Sequence, residues 1–377
     1  MTGTLAIVVF FTGLLFIILI HEAGHYAVAR RFGFKVEEYF VGFGPKLWSF
    51  RRGEIEYGVK ALPLGGYVKI AGMNPYEPVP PEDLPRSYGA KPIWQRALTI
   101  FAGPGSHFVV AAILFAIWLF VFGDPRTAPI VVEQVPRQLN GHVGPAYAGG
   151  MRPGDVVVAI DGIADPSPEQ VSTTLTSTAA DHPGRSIPVV VARDGRTITL
   201  SLVPELSDVE GVTIGRVGVV LAPPDPAGEG VIPSIVGGVK LVGRSIAESF
   251  EQIGHVFGPQ GIGRVLTLLF SNEPRTTQDP TSVVGIGQQV GATGAAGDWG
   301  TVLYFLAFVT VFIGLLNLLP LPPFDGGHLA VLALEKIRGK AIDMRKLIPV
   351  SAAVMAFFVV FVIATVILDF TKPIPSP

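Results

Sequence analysis

His21, Glu22 and His25 stand in the stretch "ILIHEAGHYAVARR", residues 18–31, as the pattern H-E-x-x-H. On a helix, positions i and i+4 share a face, so the two imidazoles point the same way. Two neutral imidazoles one turn apart can grip one zinc ion. Glu22 beside them is placed to take a proton from water activated by that metal, which is the chemistry of peptide-bond hydrolysis. A catalytic zinc takes three protein ligands, so one more is needed. The chain has no cysteine, which leaves His, Asp or Glu to supply it and excludes disulfides and a thiol nucleophile.

The spelling alone recurs by chance in soluble helices, where an exposed histidine pair binds nothing. The location is more informative. Residues 1–20 carry no charge. Ionisable groups inside a membrane span are costly and are functional by default.

The third ligand is expected in "NLLPLPPFDGGH", residues 317–328, where Asp325 is the only carboxylate between Asp298 and Glu335. Pro320, Pro322 and Pro323 break a helix there and free backbone groups. Asn317 can donate or accept a hydrogen bond inside a site, or serve as a helix-packing contact. His328 follows the double glycine and reads as an interface residue outside the ligand set. His107, in "AGPGSHF", reads as a hydrogen-bonding contact between helices and not as a ligand. His142, His182 and His255 read as surface residues.

The elements that must position these residues are membrane spans. Of 377 residues, 49% are hydrophobic and only 15% charged, against about 25% charged in a soluble domain. Four segments have the roughly 20 apolar residues that a span requires: within 1–32, 97–123, 301–324 and 347–369. The first lacks the basic start and small-residue cleavage site of a secretory signal and reads as a retained span. Arg30, Arg31 and Lys35, then Lys91 and Arg96, then the five basic residues of loop 325–346 all fall on one side if the spans alternate. The positive-inside rule makes that side cytoplasmic and leaves residues 124–300 outside. The net charge of −2 points to no nucleic-acid partner.

Between the first two spans, residues 33–72 alternate in polarity about the turn signal "RRGE" and predict a hairpin. It either folds back toward span one at membrane depth or is an ordinary cytoplasmic hairpin. Residues 73–96 predict a loop rich in proline. Short strands separated by turn signals, with one helix-compatible segment, predict a small partly open β domain over 124–225. Residues 226–300 predict an amphipathic helix, then a polar loop and a glycine-rich, flexible lead-in to span three.

Taken together, "HEAGH" and "NLLPLPPFDGG", in that order and spacing, resemble the two signatures of the site-2 protease family of intramembrane zinc metalloproteases. The resemblance covers most of the chain. It implies zinc held by His21, His25 and Asp325, Glu22 as general base, and Asn317 positioning substrate or stabilising the oxyanion. "AYAGGMRPGDVVVAIDGIADPS" resembles the PDZ domain of bacterial members, either a size filter or a peptide-binding groove. "GVKALPLGGYVKI" resembles the family's membrane-associated β element, whose edge would pair with an extended substrate. The implied fold is a polytopic α-helical membrane protein with four transmembrane helices, a membrane-associated β-hairpin and an extracytoplasmic PDZ-like α+β domain.

The implied partners are the lipid bilayer and single-pass membrane proteins already trimmed by another protease. The implied location is the bacterial cell membrane. The chain departs from the family pattern at Phe324, where Leu is usual, and at His107, where Asn is usual; the second puts a substrate contact in doubt. A metal carrier is the main rival reading, but it needs no glutamate beside its ligands, and the repeated halves common in carriers are not evident. Intact Glu22 argues against an inactive relative that binds without cutting.

Overall fold

The computed structural model describes residues 2–374 apart from Pro75, 126–127, 179–180, 210–211, 222–227 and 277–278. It divides into two compact units: Met1–Trp118 with Val231–Pro377, and Leu119–Gly230. Among the described residues, four helices are long and apolar enough to cross a membrane: Thr2–Arg31, Ile93–Phe122, Trp299–Asn317 and Met344–Thr371. In lipid, a helix satisfies its backbone polar groups within itself, so apolar runs of this length take that form.

In the first unit, α1 (Thr2–Arg31) closes at Gly33, whose φ of 68° gives the left-handed turn after a helix. Arg30 and Arg31 in its last turn face the negative end of the helix dipole. The long antiparallel strands β1 (Val36–Arg52) and β2 (Ile55–Ile70) follow, joined through Gly53. The hairpin folds back onto α1: Tyr39 Oη donates to the Leu19 carbonyl at 3.2 Å. Gly65 and Gly66 of β2 come close to Ile18, Leu19 and Glu22. Farther along, Leu47 and Trp48 are exposed. The fourth element is α2 (Ile93–Phe122), which carries Pro104 within it.

The second unit holds the strands β3 (Ile130–Gln134), β4 (Gln138–Leu139), β5 (His142–Val143), β6 (Val156–Ile160), β7 (Ile163–Ala164), β8 (Ile187–Arg193), β9 (Arg196–Leu202), β10 (Glu205–Val209), β11 (Val212–Arg216) and β12 (Val220–Leu221), with short helices α3 (Pro145–Ala148) and α4 (Pro168–Thr173). The main sheet runs β12-β3-β6-β8-β9, with β7 pairing to β6. Alternate residues of β8 point inward, so that Ile187, Val189 and Val191 join Val132, Ile160 and Leu202 in one core. Ser167 starts α4 with a capping box completed by Gln170.

The chain then returns to the first unit with α5 (Val231–Phe257), α6 (Pro259–Phe270), α7 (Val283–Ala295), α8 (Trp299–Asn317), α9 (Asp325–Arg338) and α10 (Ile348–Thr371). Three expectations change here. Among the described residues of 226–300 lie three complete helices, not one, before α8 begins at Trp299. The glycine-rich stretch is the helix α7, and its glycines serve close packing. A Cβ on Gly294 would collide with the Ala6 side chain, and one on Gly3 would sit 2.6 Å from the Gly291 carbonyl. Asp369 of α10 fixes the start of α7, accepting from the Ser282 and Gly285 amides at 3.0 and 2.9 Å and from Arg275 at 2.6 Å. The third span ends at Asn317 and not at 324, because the prolines after it cannot continue a helix. Residues 325–346, expected as a loop, instead begin with the helix α9. It ends at Gly339, whose φ is 67°.

Candidate metal centre

The centre is built by α1, α2 and the start of α9. His21 and His25 are buried on one face of α1, with their Nε2 atoms 3.1 Å apart. Asp325 Oδ2 lies 3.3 Å from each of those nitrogens. Ligand atoms about 2.0–2.1 Å from a tetrahedral zinc sit about 3.4 Å apart, so the three atoms have a suitable spacing. This is a group that could hold a metal ion.

The backbone explains how three segments reach one point. α1 and α2 touch through glycine. A Cβ on Gly24 would overlap the Ala102 carbonyl, and one on Gly103 would overlap His25 Nε2. Asp325 is the first residue of α9, where a carboxylate suits the positive helix end. Gly326 and Gly327 leave no room for a Cβ against Leu318 and Pro322, so the seven residues before Asp325 fold tightly against the first turn of α9. Behind the site, Arg96 of α2 and Glu335 of α9 pair at 3.0 Å, tying these two elements together.

The outer ring nitrogens are also engaged. His25 Nδ1 is 2.8 Å from the Thr99 carbonyl oxygen, which can only accept, so Nδ1 carries the proton and Nε2 offers a lone pair. His21 Nδ1 is 3.1 Å from Nε2 of His107. His107 is thus more than a contact between helices: it is buried against a candidate ligand. Its place in the AGPG-S-H context of a span was the available signal, and the helix register between spans was what the sequence left open.

Glu22, half-buried, is next to His21 on α1. Strand β2 lies against it: the Val68 backbone amide reaches its carboxylate, and a Cβ on Gly66 would sit 3.1 Å from its Cγ. Asn317 ends α8, half-buried, and makes no side-chain hydrogen bond among the described residues. His328 lies one turn beyond Asp325 on α9 and is also half-buried, outside the group.

A donor set of two imidazoles and a carboxylate, free of thiolate, fits zinc. Similar proteins carry that name. The chain is 34% identical over 403 residues to the zinc metalloprotease Rip1 of Mycobacterium tuberculosis, covering 98% of both chains. It is 32% identical over 412 residues to Rip1 of Mycolicibacterium smegmatis, again covering 98% of both. Similarity to the zinc metalloprotease RasP of Geobacillus kaustophilus is 26% over 409 residues, covering 88% of this chain and 89% of RasP. Fold, site and relatives define a zinc metalloprotease with membrane-crossing helices. Residues 9–362 match Peptidase family M50, the site-2 protease family, and the chain belongs to it.

Proposed function

We propose that this chain hydrolyses peptide bonds within the transmembrane segments of single-pass membrane proteins, in regulated intramembrane proteolysis of the anti-sigma-factor or signal-peptide-remnant type. One observation carries the reading: a histidine pair within an apolar, membrane-length helix converges with the first carboxylate after another such helix. Such groups are placed in a membrane only where function requires them.

In this reading His21, His25 and Asp325 hold zinc, which supplies Lewis acidity toward a peptide carbonyl and toward water. The Glu22 carboxylate takes the proton of the attacking water and delivers it to the departing amide nitrogen. Strand β2 beside Glu22 offers backbone groups that an extended substrate can pair with, since a helical segment must unwind before its amide can be attacked. Asn317 positions that substrate or stabilises the oxyanion. Residues 124–225 are a PDZ-like domain outside the cell membrane that filters substrates by size, so that prior trimming by another protease licenses entry. The metal centre lies near the cytoplasmic side of a bacterial membrane, a reading supported by the basic residues flanking the spans.

The test uses purified wild type and Glu22→Gln with a single-pass substrate whose outer domain has been shortened. Cleavage by wild type alone, with one zinc in each protein, supports the reading. Zinc in both without cleavage by either favours the carrier reading, and absence of zinc from both overturns the ligand set.

A further inference from the structure

The two candidate histidine ligands are oriented by unlike partners. His25 Nδ1 faces a carbonyl oxygen, which fixes its tautomer. His21 Nδ1 faces another imidazole, 3.1 Å away, with ring centroids 5.0 Å apart. An imidazole nitrogen can donate or accept, so this bond can run in either direction. Only one direction serves metal binding. His21 must carry its proton on Nδ1 and donate it to His107 Nε2, leaving its own Nε2 free. His107 then carries its proton on Nδ1, which is buried and has no hydrogen-bond partner among the described residues. Nδ1 lacks a partner among the described residues in the opposite direction too, so the direction is set by the demand at His21 Nε2 and not by His107.

His107 is held for the task. It is 1% exposed, and α8 presses on it through Gly314, where an added Cβ would lie 2.7 Å from the His107 Cβ. We propose that His107 is the positioning residue of His21: its Nε2 accepts the Nδ1–H of His21 and so presents Nε2 of His21 to zinc. The proposal rests on the ligand assignment above. In this role His107 acts through His21 and is a positioning residue.

The experiment compares full-length wild type, His107→Leu and His107→Gln in detergent, each loaded with zinc. Zinc loss to a coloured chelator is timed, and the visible spectrum of the cobalt(II)-substituted proteins is recorded. Loss of a ligand's outer hydrogen bond typically weakens metal affinity about 10–100-fold. His107→Leu is expected to release zinc faster by about that factor and to shift the cobalt bands. His107→Gln, with an oxygen at similar reach, is expected to restore both. Should the leucine variant not fold, His107→Phe keeps a ring without the acceptor and takes its place. Wild-type zinc release and spectrum in His107→Leu overturn the proposal. So does a glutamine variant no better than leucine, since packing alone would then explain the effect. Zinc retained by His21→Ala overturns the ligand assignment itself, a result distinct from either.

Discussion

Gly103 of α2 lies against the His25 imidazole with no space for a side chain between them. A Cβ there would overlap Nε2 and Cε1 of His25 and stand 2.9 Å from Cε1 of His21. Gly103→Ala must therefore push both rings or part the two helices. Displacing reacting groups by about 1 Å can cost about 100-fold in rate. We expect at least that loss in turnover with unchanged helix content by circular dichroism. Wild-type turnover in this variant would mean that α2 yields freely at this crossing.

Asp325 joins the centre from a separate helix, so removing it leaves the histidine pair in place. Asp325→Ala should bind zinc more weakly than wild type in a competition titration and lose proteolysis, while Asp325→Glu retains part of both. A chelator should abolish wild-type cleavage, with recovery on adding zinc back. Full activity in the chelated protein would show that hydrolysis proceeds without the metal.

The Arg96–Glu335 pair is mostly buried, with side-chain exposures of 13% and 7%. Glu335 Oε1 also accepts from the Ile342 amide at 3.0 Å, tying the chain beyond α9 to it. Breaking a buried pair from one side strands a charge, at a cost of about 3–5 kcal/mol. Glu335→Gln should lower the thermal midpoint and weaken zinc retention together, because α9 carries Asp325. A midpoint equal to that of wild type would exclude this pair as the tether.

Asp155 stabilises the unit Leu119–Gly230. Burial opposes its charge, but Arg193 at 2.6 and 2.7 Å and the Arg152 amide at 2.8 Å hold the carboxyl below its ordinary range. A lowered native pKa gives stabilisation that is complete above the unfolded value, about 3.9. It is lost as pH falls through the lower native value. Protection factors of the β8 amides in the whole chain should therefore fall below about pH 4. In Asp155→Asn they should be low already at neutral pH and show no such step.

The meeting of His21, His25 and Asp325 was legible in the chain because helix periodicity fixes the pair and the segment after span three offers a single carboxylate before Glu335. Four apolar runs gave the spans for the same reason: length and charge decide membrane crossing. The α7 glycines were not legible as a helix. Their low helix propensity in water says little about packing against Gly3 and Ala6. The helix α9 was hidden by the charges in 335–346, which read as a loop. His107 showed its type and depth but not its partner, since the rotation of α2 about its axis is set by contacts at Gly24, Gly103 and Gly314.

The centre draws on α1, α2 and α9, and its first and last members are separated by most of the chain. During synthesis, a nascent protein that has threaded only its first two spans owns the histidine pair and Glu22 but no Asp325. The tight turn before α9 follows span three in the chain. On the proposed ligand set, a chain made in this order has no third ligand for the metal until span three has been made, so cleavage at this centre waits on nearly the whole chain.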